Sequence, residues 1–277
     1  MYSMLRALPF WYSVMSWPNR LTRILFVCVL LAMPATQAAL LGEGATPDAV
    51  NSPKTTWPTI TLELWEKQDW LALITVCEKW GEAEPAPWEP WLCLAHAGLN
   101  SNQYQVALRG FEEYRRRVNA TALTQAMLHN HAYVLSELGR NEEAIIRYKE
   151  ALAADGSNHI TWSNLGWVLV KVQLYEEAVE TCLTSIRKRP DYAEAWGGLG
   201  AAYRGLRKYE QAIAAYEKAI SLPNNNSNNA RSAYWRPLGE LFVLTGQKEK
   251  AQRVADILES MNREMAESLR KQTSDMQ

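Results

Sequence analysis

The stretch Trp162-x-x-Leu165-Gly166-x-x-Leu169 decides the fold, because it returns 34 residues later as Trp196-x-x-Leu199-Gly200-x-x-Tyr203. A second segment follows each copy and contains an alanine, Ala178 or Ala212, and a proline, Pro190 or Pro223, comes after it. Self-similarity at a period of roughly 20 to 50 residues is typical of proteins that stack identical helix pairs. The sequence therefore predicts a repeat fold.

Weaker copies extend this pattern in both directions. One lies a period earlier around Leu128, an earlier one begins at Trp91, and a later one begins at Trp235. A degenerate copy starts near Trp57. One helix pair cannot bury its apolar face alone, and about three stacked pairs are needed for a stable core. The chain has enough copies to meet that requirement.

The residue types explain how such pairs would pack. Glycine or alanine beside leucine in the first helix lets the two helices of a pair approach closely, and the aromatic residues fill the gap to the next pair. Pro190 ends a second helix, because proline lacks the backbone N–H and its ring clashes with the preceding turn.

Period, residue types and the closing proline together resemble the tetratricopeptide repeat. The resemblance implies an all-α fold, a helical-repeat solenoid of tetratricopeptide helix pairs, whose concave groove holds a peptide or protein partner. We expect a degenerate repeat or N-terminal cap at residues 57–87, the repeat stack with a C-terminal capping helix at 88–265, and a tail at 266–277. Residues 252–269 are predicted to form one continuous helix, and the asparagine-rich residues 224–229 a loop.

The N-terminal 38 residues have the features of a secretory signal. Arg20 and Arg23 precede the apolar run 24–33, and Pro34 and small residues follow it. The run is about half of the roughly 20 residues that a membrane-spanning helix needs. We expect cleavage near Ala38 and an exported protein, periplasmic in a bacterial host, with residues 39–56 as a linker. Retention of the segment as a membrane anchor is the alternative.

Charge and cysteine content narrow the functional classes. Residues 1–38 carry three arginines and no acid, so their removal changes the formal net charge from −1 to −4. Nucleic-acid binding would favour a strongly basic face instead. Cys77, Cys93 and Cys182 remain after cleavage. Cys77 and Cys93 either pair, if their helices are neighbours, or are each a small buried apolar residue.

The resemblance also identifies the residues that would line the groove. Those of the first helices form a mixed aromatic and polar set with no single sign of charge, which favours a protein or peptide partner over a phosphate chain. They are His96, His129, Tyr133, Glu137, Ser163, Trp167, Lys171, Arg204, Arg236 and Glu240. Trp167 is either an exposed aromatic anchor or partly buried by a neighbouring helix.

Two binding modes of the family can be compared with this sequence. Chaperone-tail binding uses a clamp of Lys, Arg and Asn, and only Asn164 matches it here, so the clamp is not expected. An asparagine ladder binds the backbone of an extended peptide, and Asn130 and Asn164 hold the ladder position in adjacent repeats. Amide side chains both donate to and accept from peptide groups. The alternative is that both asparagines are solvated surface residues.

No catalytic or cofactor-binding motif occurs. The chain lacks a phosphate-binding loop, a Gly-x-Ser-x-Gly turn and a His-Glu-x-x-His helix. His129 and His131 are two residues apart and face different sides of a helix, so a metal site is not expected. We therefore predict a protein that is not an enzyme, with no cofactor and no metal.

Overall fold

In a computed structural model of the chain, the described residues are 57–83, 88–119, 123–222 and 228–275, with side chains of the last range described from residue 233. These residues form thirteen α-helices and no strand, which confirms the predicted all-α helical-repeat fold. The predicted signal and linker lie outside the described residues. None of the described helices is both long enough and apolar enough to cross a membrane.

The helices fall into two compact units, divided after Leu138. The N-terminal unit contains α1 (Trp57–Glu66), α2 (Trp70–Ala83), α3 (Glu89–Asn100), α4 (Tyr104–Arg117) and α5 (Gln125–Glu137). Within this unit, each helix packs on the one that follows it in the chain.

The C-terminal unit contains the two copies of the motif that decide the fold. Its helices are α6 (Asn141–Ala154), α7 (His159–Lys171), α8 (Tyr175–Lys188), α9 (Ala193–Gly205), α10 (Tyr209–Ser221), α11 (Asn228–Leu244), α12 (Lys248–Glu259) and α13 (Arg263–Ser274). Successive helices pack on one another, and the first helices α7 and α9 of adjacent repeats are also in contact.

A common turn joins the two helices of a pair. The residue with left-handed backbone in this turn is Asn102, Gln173, Arg207 or Gly246, at φ values of 57, 63, 57 and 75°. The next residue donates its N–H to a carbonyl five residues earlier, as from Leu174 to Leu169 at 2.9 Å and from Lys208 to Tyr203 at 2.9 Å. This bond caps the first helix and reverses the chain within three residues.

Small residues set the distance between paired helices. A Cβ atom on Gly98 would lie 2.5 Å from the backbone nitrogen of Ala107, and one on Gly166 would lie 2.4 Å from the Sγ atom of Cys182. The predicted close approach of the two helices is therefore present in both units.

Three of the repeated tryptophans, Trp91, Trp196 and Trp235, pack against the apolar clusters as the sequence predicts, and two of the repeated tryptophans form hydrogen bonds. The indole N–H of Trp162 donates to the Gly156 carbonyl at 2.9 Å, and that of Trp196 donates to the Pro190 carbonyl at 2.9 Å. Each bond links a first helix to the loop that precedes it.

The predictions for the C-terminal end were wrong in two respects. The expected continuous helix is broken between Glu259 and Arg263, where the Asn262 side chain accepts from the N–H of Met265 at 3.0 Å and caps a new helix. The expected tail from residue 266 is instead helical to Ser274, because Ala266 and Leu269 are buried in the core of this unit. In the predicted loop 224–229, Asn228 already begins α11.

The two alternatives for Cys77 and Cys93 are decided by the structure. The two residues form a disulfide between α2 and α3, with their Cα atoms 6.0 Å apart. Cys182 is a free, buried thiol, and burial raises its pKa to about 12.

Replacing Gly98 by alanine tests the close approach of paired helices. Alanine favours a helix by up to about 1 kcal/mol over glycine, but here its Cβ would overlap backbone atoms that cannot move aside. Overpacking costs about 1–3 kcal/mol, so we expect Gly98→Ala to lower the free energy of unfolding by about 1–2 kcal/mol, measured by urea denaturation.

Gly156→Ala is the matched control. A Cβ there meets only the Leu152 carbonyl oxygen, at 3.3 Å, and we expect a change below about 0.5 kcal/mol. Equal effects of the two substitutions would contradict this account of helix spacing.

Candidate partner-binding surface

The two predicted ladder asparagines lie on first helices, one in each unit. Asn130 is on α5 of the N-terminal unit and Asn164 is on α7 of the C-terminal unit. Both side chains are half-buried, and within the described residues neither amide forms a hydrogen bond. Each therefore offers one acceptor and two donor hydrogens to a ligand.

Trp167 is partly buried by a neighbouring helix, which is one of the two alternatives for this residue. Its indole N–H donates to the carbonyl of Glu194 at 3.0 Å, so α7 is fixed to the beginning of α9. The indole lies over Gly198, where a Cβ would be 3.3 Å from its nitrogen. A partner could therefore contact the remaining exposed ring surface but could not use the N–H group.

The prediction that Ser163 lines the groove is wrong. Its side chain is fully buried, and its hydroxyl has no hydrogen-bond partner in the described part of the chain. It lies one residue before Asn164, and the helical rotation of about 100° per residue directs it into the core.

Arg204 and Lys171 differ in how available they are. The Arg204 guanidinium lies 2.9 Å from a Glu240 carboxylate oxygen, and Arg236 lies 3.0 Å from the other oxygen of the same carboxylate. This carboxylate joins α9 to α11 and neutralises part of the positive charge. Lys171 is exposed and forms no ion pair within the described residues.

His129 and Tyr133 lie among aromatic rings in the N-terminal unit. The Tyr133 ring meets the Tyr104 ring edge-on, with centroids 6.2 Å apart, and burial raises the pKa of Tyr133. Burial lowers the pKa of His129 to about 4. His129 is thus neutral at pH 7 and supplies no cation to a partner.

His96 is also enclosed by aromatic rings. Its ring lies edge-on to those of Trp65 and Phe111, at centroid distances of 6.3 and 6.2 Å. Its Nε2 atom is buried and lacks a partner in the described residues, and burial lowers its pKa to about 4.

Tyr234 is a residue at this surface that sequence reasoning missed. A Cβ on Gly197 would lie 2.3 Å from its ring, so the tyrosine of α11 occupies the space that the glycine of α9 leaves. The two adjacent glycines, Gly197 and Gly198, were the available signal, because together they leave two neighbouring positions of α9 without side chains.

Asn130, Asn164 and Trp167 line neither of the two cavities described. One, of about 330 Å³, is lined by Leu152, Trp162, Leu165 and Thr181 and by an ion pair between Lys149 and Glu177 at 2.7 Å. The candidate site is therefore an open helix surface and not an enclosed pocket.

Comparison with known families supports the interpretation of the repeats. Residues 129–186 and 193–222 match tetratricopeptide repeat family models. Over these two segments the chain is similar to tetratricopeptide repeats. The first of the two matched segments includes both Asn130 and Asn164.

Tetratricopeptide proteins are also the relatives of this chain. It is 35% identical over 88 residues to the Hsp70-Hsp90 organizing protein of Triticum aestivum, which is 32% of this chain and 15% of that protein. The chain thus spans well under half the length of this relative.

Solved structures share the fold at low identity. MamA of Desulfovibrio magneticus RS-1 is 21% identical, with a TM-score of 0.55 over 64% of this chain and 96% of that one. YrrB, described as a tetratricopeptide protein with an unusual peptide-binding site, is 16% identical, with a TM-score of 0.54 over 59% of this chain and 83% of that one.

The depressed histidine pKa values predict acid sensitivity. Because the folded-state pKa of His96 lies below the unfolded value of 6.5, the unfolded chain binds more protons between pH 6.5 and about 4. Stability is therefore full above pH 6.5 and falls as the pH decreases through this window, by at most about 1.4 kcal/mol per pH unit for each histidine.

His96→Phe should make the pH dependence shallower. The substitution keeps an aromatic ring among Trp65 and Phe111 and removes one titrating group. We expect the variant to lose roughly 2 kcal/mol less than the parent between pH 7 and pH 4.5, measured by urea unfolding. Parallel pH profiles for the two proteins would refute the assignment to His96.

Proposed function

We propose that the chain is an exported, non-catalytic scaffold whose first-helix surfaces bind an extended segment of a protein partner, in the assembly of an envelope complex. Tetratricopeptide relatives and structural neighbours support the role in protein interaction. The alternative proposal is a membrane-anchored assembly subunit that retains residues 1–38.

The observation that carries the binding proposal is the state of Asn130 and Asn164. Both amides are half-buried and have no protein partner among the described residues, so their donors and acceptor are available to a ligand. They hold the same repeat position, 34 residues apart. An extended peptide backbone has the alternating donors and acceptors that would satisfy such amides.

The disulfide is the observation that supports export. Disulfides persist in oxidising compartments and are rare in the cytosol, and Cys77 and Cys93 are joined in this chain.

The charged residues Lys171 and Arg204 would act at the edge of the binding surface, where charge affects the rate of association more than the affinity.

Substituting the asparagines tests the binding proposal. We expect Asn130→Ala and Asn164→Ala each to weaken capture of the partner by about 5- to 10-fold, corresponding to about 1–1.5 kcal/mol for a lost hydrogen bond. Helix content by circular dichroism should not change. Capture is measured by crosslinking the tagged protein in its own cells, followed by mass spectrometry.

Gln211→Ala is the matched control, since it removes an exposed amide from the second helix α10. It should leave capture unaffected. If the control weakens capture as much as the asparagine variants, or if none of the three does, the asparagine surface is not the binding site.

The mature N-terminus tests export against anchoring. We expect the purified protein to begin near Ala39, because the small residues before that position suit signal cleavage. Mass spectrometry of the N-terminal peptide measures this directly. An intact N-terminus found in the membrane fraction would instead favour the anchored subunit.

A further inference from the structure

The helix pair α1–α2 packs unevenly, since α2 has five buried residues. No residue of α1 is fully buried. The apolar core that joins α2 to α3 consists of Leu73, Ile74, Cys77, Leu94 and Ala97, with Leu64, Trp65, Trp70, Trp91, Cys93 and Val106 partly buried against it. By contrast, one core cluster of the C-terminal unit contains seventeen buried residues.

Further contacts also join α2 to its neighbours. Gly81 lies against the ring of Trp91, where a Cβ would be 2.8 Å from it. Glu78 forms an ion pair with Arg109 of α4, but their side chains are 37% and 52% exposed, and exposed pairs contribute little to stability. The covalent bond between Cys77 and Cys93 is therefore the strongest single connection.

We infer that the Cys77–Cys93 disulfide is a redox-sensitive latch: a dithiol reductant releases the α1–α2 pair from α3 while the C-terminal unit stays folded. A disulfide across a 16-residue separation stabilises chiefly by restricting the unfolded ensemble. Its loss therefore acts on the segment that it joins, in which α1 has no fully buried residue.

The unequal burial of the two cysteines determines which sulfur atom the reductant attacks first. Cys77 is fully buried and Cys93 is half-buried. A thiolate of the dithiol attacks the Sγ atom of Cys93, the S–S bond breaks, and Cys77 leaves as a thiolate that takes a proton. The second thiol then attacks the mixed disulfide, so Cys93 is released as a thiol and the reductant becomes a cyclic disulfide.

Opening the latch would change the surroundings of α3. Its residues Leu94 and Ala97, fully buried in the closed state, would face solvent. His96 would lose its contact with the Trp65 ring. The closed form would predominate in an oxidising compartment, and the open form would present an apolar helix face.

Hydrogen exchange on the full chain, before and after treatment with dithiothreitol, tests the latch. We expect peptides from 70–83 to exchange at least about 10-fold faster after reduction, and peptides from 193–222 to be unchanged. Iodoacetamide should modify Cys77 and Cys93 in the reduced protein. The fully buried Cys182 should stay unmodified and so report that the C-terminal unit remains folded.

Three results would overturn the latch. Peptides from 70–83 could stay protected after complete reduction, both units could lose protection together, or Cys182 could become modified at the same rate as Cys93. The titration of His96, followed by NMR, supplies a second readout, because its pKa should rise from about 4 towards 6.5 on reduction.

The double variant Cys77→Ala, Cys93→Ala separates the covalent bond from packing. It should resemble the reduced protein without reductant and should not respond to dithiothreitol. If the variant is open while the reduced parent stays closed, the cavity left by the missing sulfur atoms is the cause, and the latch is refuted.

Discussion

The close approach of paired helices is the constraint on which the structure depends. At Gly98, Gly110 and Gly166 there is no room for a Cβ atom, because backbone or sulfur atoms of the other helix of the pair lie within 2.4–2.5 Å of where it would be. Because the paired helices leave no room for a methyl group at these positions, neither helix can slide or rotate without atomic overlap. The register of each pair is thereby fixed, and the 34-residue period of the sequence is its consequence.

The same constraint shapes the candidate binding surface. In α9 the glycines extend beyond the pair contact to Gly197 and Gly198, and the vacant space is filled by Tyr234 from α11 and Trp167 from α7. Tyr234 is buried, so a ligand would meet the exposed part of the Trp167 ring and the amide of Asn164, and not the backbone of α9. The carboxylate of Glu240 between two arginines limits the positive charge at one end of this surface.

The fold could be predicted from the sequence because its period, small residues and prolines all follow from the close approach of paired helices. The structure of the two ends of the stack could not be predicted, because this packing pattern is weakest there. Ala266 and Leu269 belong to a polar helix whose few apolar residues give little signal, and the break before Arg263 depends on a cap by Asn262. At the site, sequence position placed Asn164 and Trp167 on the correct helix but could not reveal that the Trp167 N–H already has an acceptor.

The N-terminal pair α1–α2 does not follow the close packing of the other helix pairs. The degenerate copy near Trp57 lacks the small residues that bring paired helices together, and α1 accordingly buries no side chain completely. Non-covalent contact cannot fix such a pair as firmly as it fixes α7 to α8. The disulfide from α2 to α3 adds a covalent connection between this pair and the next helix pair. The stability of this joint therefore depends on the redox state of its surroundings, whereas that of the glycine-packed pairs does not.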